Sequence, residues 1–152
     1  MTETASVGLE ELTCFALYAA SRAVIQAYRP LLDEAGLTYP QYLVLLVLWQ
    51  RGPQPVKALG TALQLDSGTL SPLLKRLEAA GLVRRDRRSG DERSVLVSLT
   101  PAGTDLEARA RDIPRRAACA AGLPLHELDQ LRASLVRFTA AVIGGPPTEG
   151  ES

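Results

Sequence analysis

The stretch Leu65-Asp66-Ser67-Gly68-Thr69-Leu70-Ser71-Pro72-Leu73-Leu74-Lys75-Arg76-Leu77-Glu78 decides the fold of this 152-residue chain. Asp66 or Ser67 suits the N-cap of a helix that runs to about Ala80, and its leucines recur at helical spacing on one side. The segment 56–63 before it reads as a short amphipathic helix, and Gln64-Leu65 as a tight turn. A short helix, a tight turn and a second helix predict a helix-turn-helix.

A basic hairpin follows this pair of helices. The segments 82–87 and 94–99 suit strands, and the polar residues 88–93 between them suit a turn. The segment from Lys75 to Arg88 contains six basic residues and two acidic ones, although the whole chain has no net charge. The charge distribution indicates a confined phosphate-binding face. The predicted fold is therefore mainly α (α+β), a winged helix-turn-helix flanked by further helices.

Several side chains of this module are predicted to contact DNA. The small polar residues at the start of the second helix allow a close approach to a groove, and the basic ones neutralise phosphates. At the hairpin tip an arginine suits a minor groove, with an aspartate to direct it. The predicted set is Ser67, Thr69, Ser71, Lys75, Arg76, Arg85, Asp91 and Arg93. The plainer alternative is a solvated helix and turn.

Helical periodicity also dominates the rest of the chain. A long helix is predicted from Leu9 to about Ala35, with Pro30 as a kink or a boundary. A nearly apolar helix from Thr38 to Trp49 should form the buried centre, and 51–55 should be a connector. After Thr100-Pro101 a helix should run towards Ala121 with a bend at Pro114. A last helix should span Leu125 to Ile143, and a disordered tail should follow over 144–152.

Composition narrows the possible classes of protein. The N-terminus lacks a basic run followed by an apolar stretch, and the longest apolar run, 42–49, is too short to span a membrane. A cytoplasmic location is therefore expected. Two cysteines, Cys14 and Cys119, form no disulfide framework. The only histidine, His126, belongs to no cluster with metal-ligand spacing, so neither a metal nor a cofactor is expected.

The segments 65–78, 81–83 and 91–94 closely resemble the MarR family of winged-helix repressors. The segments 39–43 and 14–19 resemble one branch, the organic-hydroperoxide-sensing repressors (OhrR). The resemblance implies a homodimer that reads a pseudo-palindromic operator on double-stranded DNA. It also implies dimerisation helices over 1–36 and 100–143 and a DNA-binding lobe over 37–99.

Cys14 is the predicted redox centre. Tyr18 lies four residues on, approximately on the same helix face. Tyr28 lies 14 residues on, roughly 21 Å along a straight helix, so it reaches Cys14 only from a second subunit unless the chain bends sharply. The resemblance implies that Tyr28 and Tyr39 hydrogen-bond the reactive sulfur across the dimer. It also implies that Cys119 of the partner subunit resolves the oxidised sulfur as a disulfide.

The alternatives at these residues are ordinary ones: Cys14 as a small buried hydrophobe, Cys119 as an inert helix residue, and the tyrosines as interface packing. Two other functions also compete with a hydroperoxide-sensing repressor. One is a MarR-type regulator released by a noncovalent small aromatic ligand. The other is a thiol peroxidase, which the chain disfavours because it lacks the strand-helix alternation of a thioredoxin-like fold. The chain is therefore not expected to be an enzyme.

Overall fold

Among the described residues, nine elements lie wholly within the first of two compact units, which ends at Ala117, and an α-helix crosses into the second unit. The computed structural model describes residues 6–87 and 94–144. In chain order, a 3-10 turn at Leu9–Glu11 precedes α1 (Thr13–Asp33), α2 (Tyr39–Arg51), β1 (Gln54–Pro55), α3 (Val56–Leu63), α4 (Ser67–Ala79), β2 (Val83–Arg87), β3 (Val95–Leu99), α5 (Pro101–Ala110), α6 (Ile113–Ala121) and α7 (Leu125–Gly144).

Helix α1 is continuous over 21 residues and passes through Pro30 without ending. Of the two alternatives predicted at Pro30, a kink or a boundary, the boundary is wrong, because the helix ends only at Asp33. Gly36 then adopts φ +70°, as the sequence predicts for a helix stop. Leu37 donates its backbone N–H to the Leu32 carbonyl at 3.0 Å, and both leucines are buried. This contact fixes the exit of α1 onto the core.

Helix α2 is the buried centre of the first unit, as predicted. Thr38 caps it by accepting a hydrogen bond from the Gln41 N–H, and the Gln41 side chain accepts one from the Thr38 N–H in return. Pro40 lies in the first turn, where no N–H is needed. Four side chains of the helix are buried: Tyr42, Val44, Leu45 and Leu48.

The helix-turn-helix forms as the sequence predicts. Asp66 caps α4 by accepting a hydrogen bond from the Thr69 N–H at 2.7 Å. Gln64 adopts the left-handed conformation in the turn, with φ 56°. The inward face of α4 is formed by four buried leucines: Leu70, Leu73, Leu74 and Leu77. Their burial anchors the helix and leaves its polar face to solvent.

The wing is a three-stranded sheet in the order β1-β3-β2. Strands β2 and β3 pair antiparallel from Val83↔Leu99 to Arg87↔Val95, which confirms the predicted hairpin. The predicted connector 51–55 is wrong in part, because Gln54 pairs with Val97 and forms β1. Residues 88–93, with the predicted contacts Asp91 and Arg93, lie outside the described residues.

Helix α5 is locked to the base of the wing at Gly103. Thr100 caps the helix, and its hydroxyl also donates to the Gly81 carbonyl. A Cβ at Gly103 would lie 2.1 Å from the carbonyl oxygen of Leu82. The indole N–H of Trp49 donates to the Gly103 carbonyl at 2.9 Å. One glycine thus joins α2, α5 and the wing.

The long helix predicted to run towards Ala121 is divided in two. Helix α5 ends at Ala110, and α6 begins at Ile113 after two turn residues. Pro114 is the second residue of α6, where its missing N–H costs nothing. The bend predicted at Pro114 is therefore a full break that falls just before it.

Helix α7 is the main element of the second unit, Ala118–Ser152, and matches the helix predicted from Leu125 to Ile143 within one residue. None of its residues is buried in the single chain. The predicted disordered tail lies outside the described residues except for Gly144, which closes the helix. Among the described helices, none combines the length and the apolar character that a membrane crossing requires.

Candidate functional site

A cluster of tyrosines lies where α1 meets the start of α2. The rings of Tyr28 and Tyr39 are 5.0 Å apart between centroids and meet edge to face. Tyr42 lies 6.3 Å from Tyr28. Burial is the main cause that raises the pKa of Tyr28, and the neighbouring Tyr39 is the second. Burial is also the main cause that raises the pKa of Tyr42 to about 12. Tyr28 and Tyr42 therefore stay protonated at neutral pH, and their phenol O–H groups can donate hydrogen bonds.

Cys14 is exposed in the first turn of α1. The same uninterrupted helix carries Tyr28, so the two residues are separated by about 21 Å along its axis. Tyr28 and Tyr39 are brought together within one chain, but the sulfur is not brought to them. A site that contains all three residues needs two copies of the chain.

Tyr18 lies one helical turn from Cys14 and is 61% exposed. The guanidinium of Arg22 sits over its ring, 5.6 Å from the centroid. Such a cation–π contact holds the phenol beside the N-terminal half of α1. Support of the Cys14 thiolate by Tyr18 stays a prediction.

Cys119 is exposed on the part of α6 that belongs to the second unit. Arg116, three residues before Cys119 in the chain, is engaged by another element. Its guanidinium lies 3.1 Å from the Glu34 carboxylate, and Arg109 donates to the Glu34 backbone carbonyl. The hydrogen bond and charge of Arg116 lower the pKa of Glu34. Arg116 therefore ties α6 to the end of α1.

The predicted DNA face on α4 is solvent-exposed. Its outward side chains are Ser67, Thr69, Ser71, Lys75 and Arg76. The first turn of a helix attracts anions, because its N–H groups and dipole point outward there. Helix α4 therefore presents hydroxyls at its start and cations in its later turns.

Two basic side chains of the wing are neutralised within the chain. Arg85 contacts both carboxylate oxygens of Glu78 at 3.3 Å, and its backbone N–H donates to the same carboxylate. This pairing lowers the pKa of Glu78. Arg84 contacts Asp86 at 2.8 Å. Arg85 thus braces β2 against α4, a role that charge counting along the sequence does not reveal.

An open groove between α3, α4 and the wing collects several of these residues. Ser67, Ser71 and Arg85 line it together with Lys57. Sequence reasoning missed Lys57 because it stands alone before the turn, outside the basic run. The one feature of the sequence that could have indicated Lys57 is its position in the first turn of α3, the first helix of the helix-turn-helix. In the described part of the chain, no group of three potential metal-ligating side chains could hold an ion.

Comparisons with known proteins agree with this architecture. A model of the MarR family matches residues 37–95. The organic hydroperoxide resistance transcriptional regulator of Bacillus subtilis (strain 168) is 55% identical over 106 residues, which cover 70% of this chain and 72% of that protein. These relatives are transcriptional regulators, not enzymes.

Two solved structures of AbfR, a protein known from Staphylococcus epidermidis, are similar over most of the chain. Reduced AbfR bound to DNA superposes with a TM-score of 0.76 at 36% identity and covers 89% of this chain and 94% of that one. Disulfide-formed AbfR gives a TM-score of 0.62 at 36% identity, over 86% and 92% of the two chains. With its winged helix-turn-helix, its family match and these relatives, the chain belongs to the MarR family of DNA-binding transcriptional regulators.

Proposed function

We propose that the protein is a homodimeric repressor that releases operator DNA when an organic hydroperoxide oxidises Cys14. The observation that carries this proposal is the separation of Cys14 from the Tyr28–Tyr39 pair on the same continuous helix. Each chain would therefore supply the thiol of one site, from the start of α1, and the phenols of the other site, from the second half of α1. Similarity to a hydroperoxide resistance regulator and to a protein crystallised in reduced and disulfide forms supports the same function.

Regulators of this family are dimeric, and the exposed apolar side chains are consistent with dimerisation. On α1, Phe15, Val24 and Ile25 are 40%, 47% and 37% exposed. On α7, Val136 and Val142 are both more than 60% exposed. Several exposed apolar side chains on one helix, unlike a single one, are typical of a surface that contacts a partner. We place the dimer contacts on these helices.

The two phenols prepare the sulfur for reaction. A thiolate at Cys14 lies in the first turn of α1, where the helix dipole stabilises negative charge. The phenol O–H groups of Tyr28 and Tyr39 of the partner chain donate hydrogen bonds to that sulfur. Neighbouring Phe15 gives the site an apolar side, which favours alkyl peroxides over hydrogen peroxide.

The chemistry is a two-electron oxidation of sulfur. The Cys14 thiolate attacks the terminal hydroxyl oxygen of the hydroperoxide, and the O–O bond breaks. The OH group stays on the sulfur, and the remainder leaves as an alkoxide that takes up a proton to give the alcohol. Cys14 becomes a sulfenic acid. The Cys119 thiolate of the partner subunit then attacks the Cys14 sulfur, the S–O bond breaks, and water leaves with one proton. The product is an intersubunit disulfide.

Disulfide formation is the switch in this proposal. The bond exists in only one arrangement of the dimer, so it favours that arrangement over the DNA-binding one. Moving a two-state equilibrium from nearly all bound to nearly all free takes roughly 5.5 kcal/mol. A disulfide whose geometry is possible only in the nonbinding arrangement can supply this difference, because it stabilises that arrangement alone.

A gel shift tests the proposal directly. The DNA is a duplex selected from a random pool by the reduced protein. Wild type should bind when reduced, dissociate after cumene hydroperoxide, and bind again after reduction with dithiothreitol. The Cys14→Ser variant should stay bound under peroxide. Dissociation of that variant by peroxide refutes the sensor role of Cys14, and nonreducing electrophoresis of Cys119→Ser tests the resolving step.

Subunit mixing tests whether the site is shared across the dimer. In a Cys119→Ser background, one chain carries Cys14→Ser and the other carries Tyr28→Phe. Each mixed dimer then has one complete site and one site that lacks both groups. Its single thiol should react with peroxide at the wild-type rate, whereas Tyr28→Phe homodimers react slowly. A mixed dimer as slow as those homodimers contradicts a shared site.

A further inference from the structure

Lys57 stands at the meeting point of two open grooves on the DNA-binding unit. One groove, of about 550 Å³, lies between α3, α4 and the wing, and its polar lining includes Lys57, Ser67 and Ser71. The second follows the turn between α3 and α4 and is lined by Lys57, Gln64 and Ser67, among others. Lys57 and Ser67 therefore border both grooves.

The position of Lys57 relative to α4 is fixed by tight packing at Gly60. A Cβ on Gly60 would lie 2.9 Å from the carbonyl oxygen of Leu65. The Leu65 N–H donates to the Gly60 carbonyl at 3.0 Å. Helix α3 thus meets the turn in close contact only one turn beyond Lys57. The base of this side chain is held beside the start of α4.

Among the described residues that line this groove, Lys57 carries the available positive charge. Arg85 also lines the groove, but both carboxylate oxygens of Glu78 bind its guanidinium. Lys57 is exposed, and no ion pair formed within residues 6–87 and 94–144 includes it. The two serine hydroxyls add hydrogen-bond donors beside an unneutralised ammonium group. Such a set suits a singly charged phosphodiester.

We infer that Lys57, with the hydroxyls of Ser67 and Ser71, binds a backbone phosphate of the DNA duplex. In a helix-turn-helix the first helix crosses the backbone while the second enters the major groove. A lysine on α3 is therefore suited to the strand that borders the groove. This inference rests on the DNA-binding function proposed above, and it adds to the contacts on α4 and the hairpin tip one residue of α3, Lys57. The contact supplies affinity and register, not base readout.

The test is the salt dependence of DNA binding by reduced Lys57→Gln. Each phosphate contact contributes about 0.9 to the steepness of log affinity against log salt concentration. The variant dimer loses one such contact in each subunit, so its slope should be less steep than that of wild type by about 1.8. The ratio of wild-type to Lys57→Gln affinity for DNA should then fall about 12-fold between roughly 50 and 200 mM salt. The loss should be equal on the selected duplex and on a shuffled duplex of the same length.

Two further variants complete the experiment. Lys57→Arg keeps the charge and should restore the slope, which excludes misfolding as the cause. Arg111→Gln removes an exposed cation between α5 and α6 and should leave the slope unchanged. A wild-type slope in Lys57→Gln, or a loss confined to the selected duplex, overturns the inference. The Lys57 experiment uses only reduced protein, so it does not depend on the response to peroxide. If peroxide fails to release DNA from the wild-type protein, the sensor proposal is refuted and the Lys57 inference is not affected.

Discussion

Replacing Gly103 by alanine tests the tightest contact in the structure. The new Cβ would lie 2.1 Å from the carbonyl oxygen of Leu82 and 3.2 Å from a methyl group of Leu99. An oxygen and a carbon in ordinary contact are separated by more than 3 Å. The obstacle is backbone, so no rotamer change relieves it. Helix α5 or the base of the wing must shift by about 1 Å.

The cost can be worked from the bonds that converge on this glycine. Overpacking of a buried position costs about 1–3 kcal/mol. The shift also weakens the hydrogen bonds from Trp49 to Gly103 and from the Thr100 N–H to Leu82, each contributing about 1 kcal/mol. The better helix propensity of alanine returns about 1 kcal/mol. The net loss is about 2–4 kcal/mol, or a fall in Tm of roughly 5–15 °C.

Thermal unfolding measures this loss, and fluorescence locates it. Trp49 is the only tryptophan, so its emission reports the same junction. Gly103→Ala should lower Tm and shift the emission of the folded protein, and it should weaken DNA binding because the wing is displaced. The matched control is Gly144→Ala, where a Cβ meets nothing within 4 Å. A Gly103→Ala protein as stable as this control would refute the argument.

Three other changes have defined outcomes. Asp66→Ala removes the α4 cap and should cost about 1 kcal/mol in urea unfolding, whereas Asp66→Asn should cost much less. Trp49→Phe keeps most of the packing but loses the bond to Gly103, so unfolding should show a loss of about 1 kcal/mol. The Glu78 pKa lies below its ordinary value of 4.5 because of Arg85, so this pair stabilises the fold above pH 4.5 and is lost as pH falls through the lower folded value. Tm between about pH 3 and pH 7 should therefore fall less steeply on the acid side in Glu78→Gln than in wild type.

Local signals predicted most helix ends correctly. Thr38, Asp66 and Thr100 each precede a helix and cap it with a side-chain oxygen, and Gly36 ends α1 through a positive φ. Such features depend on a few neighbouring residues, so the sequence alone reveals them. The leucine spacing of α4 and the alternating hairpin strands are equally local, and they were enough to specify the winged helix-turn-helix.

Features formed by distant residues could not be predicted in this way. Strand β1 has only two residues, one of them a proline, and it exists because Gln54 meets Val97, 43 positions away. The occupation of Arg85 by Glu78 is a tertiary contact, and it changes which cation is available in the groove. Lys57 gains its significance from Ser67 and Ser71, which lie across a turn. Pair contacts of this kind require the folded chain.

The short outer strand of the wing affects how readily the protein aggregates through the edges of its sheet. Strand β1 forms one edge of the sheet, contains Pro55 and follows Pro53. Proline offers no N–H to an incoming strand, and two residues give too little length for a stable ladder. The other edge, β2, carries the charges of Arg84, Asp86 and Arg87, which an added apolar strand would strip of water at a cost in free energy. Both edges are therefore poor templates for a larger sheet, and we expect molecules crowded on neighbouring DNA sites not to aggregate through these strands.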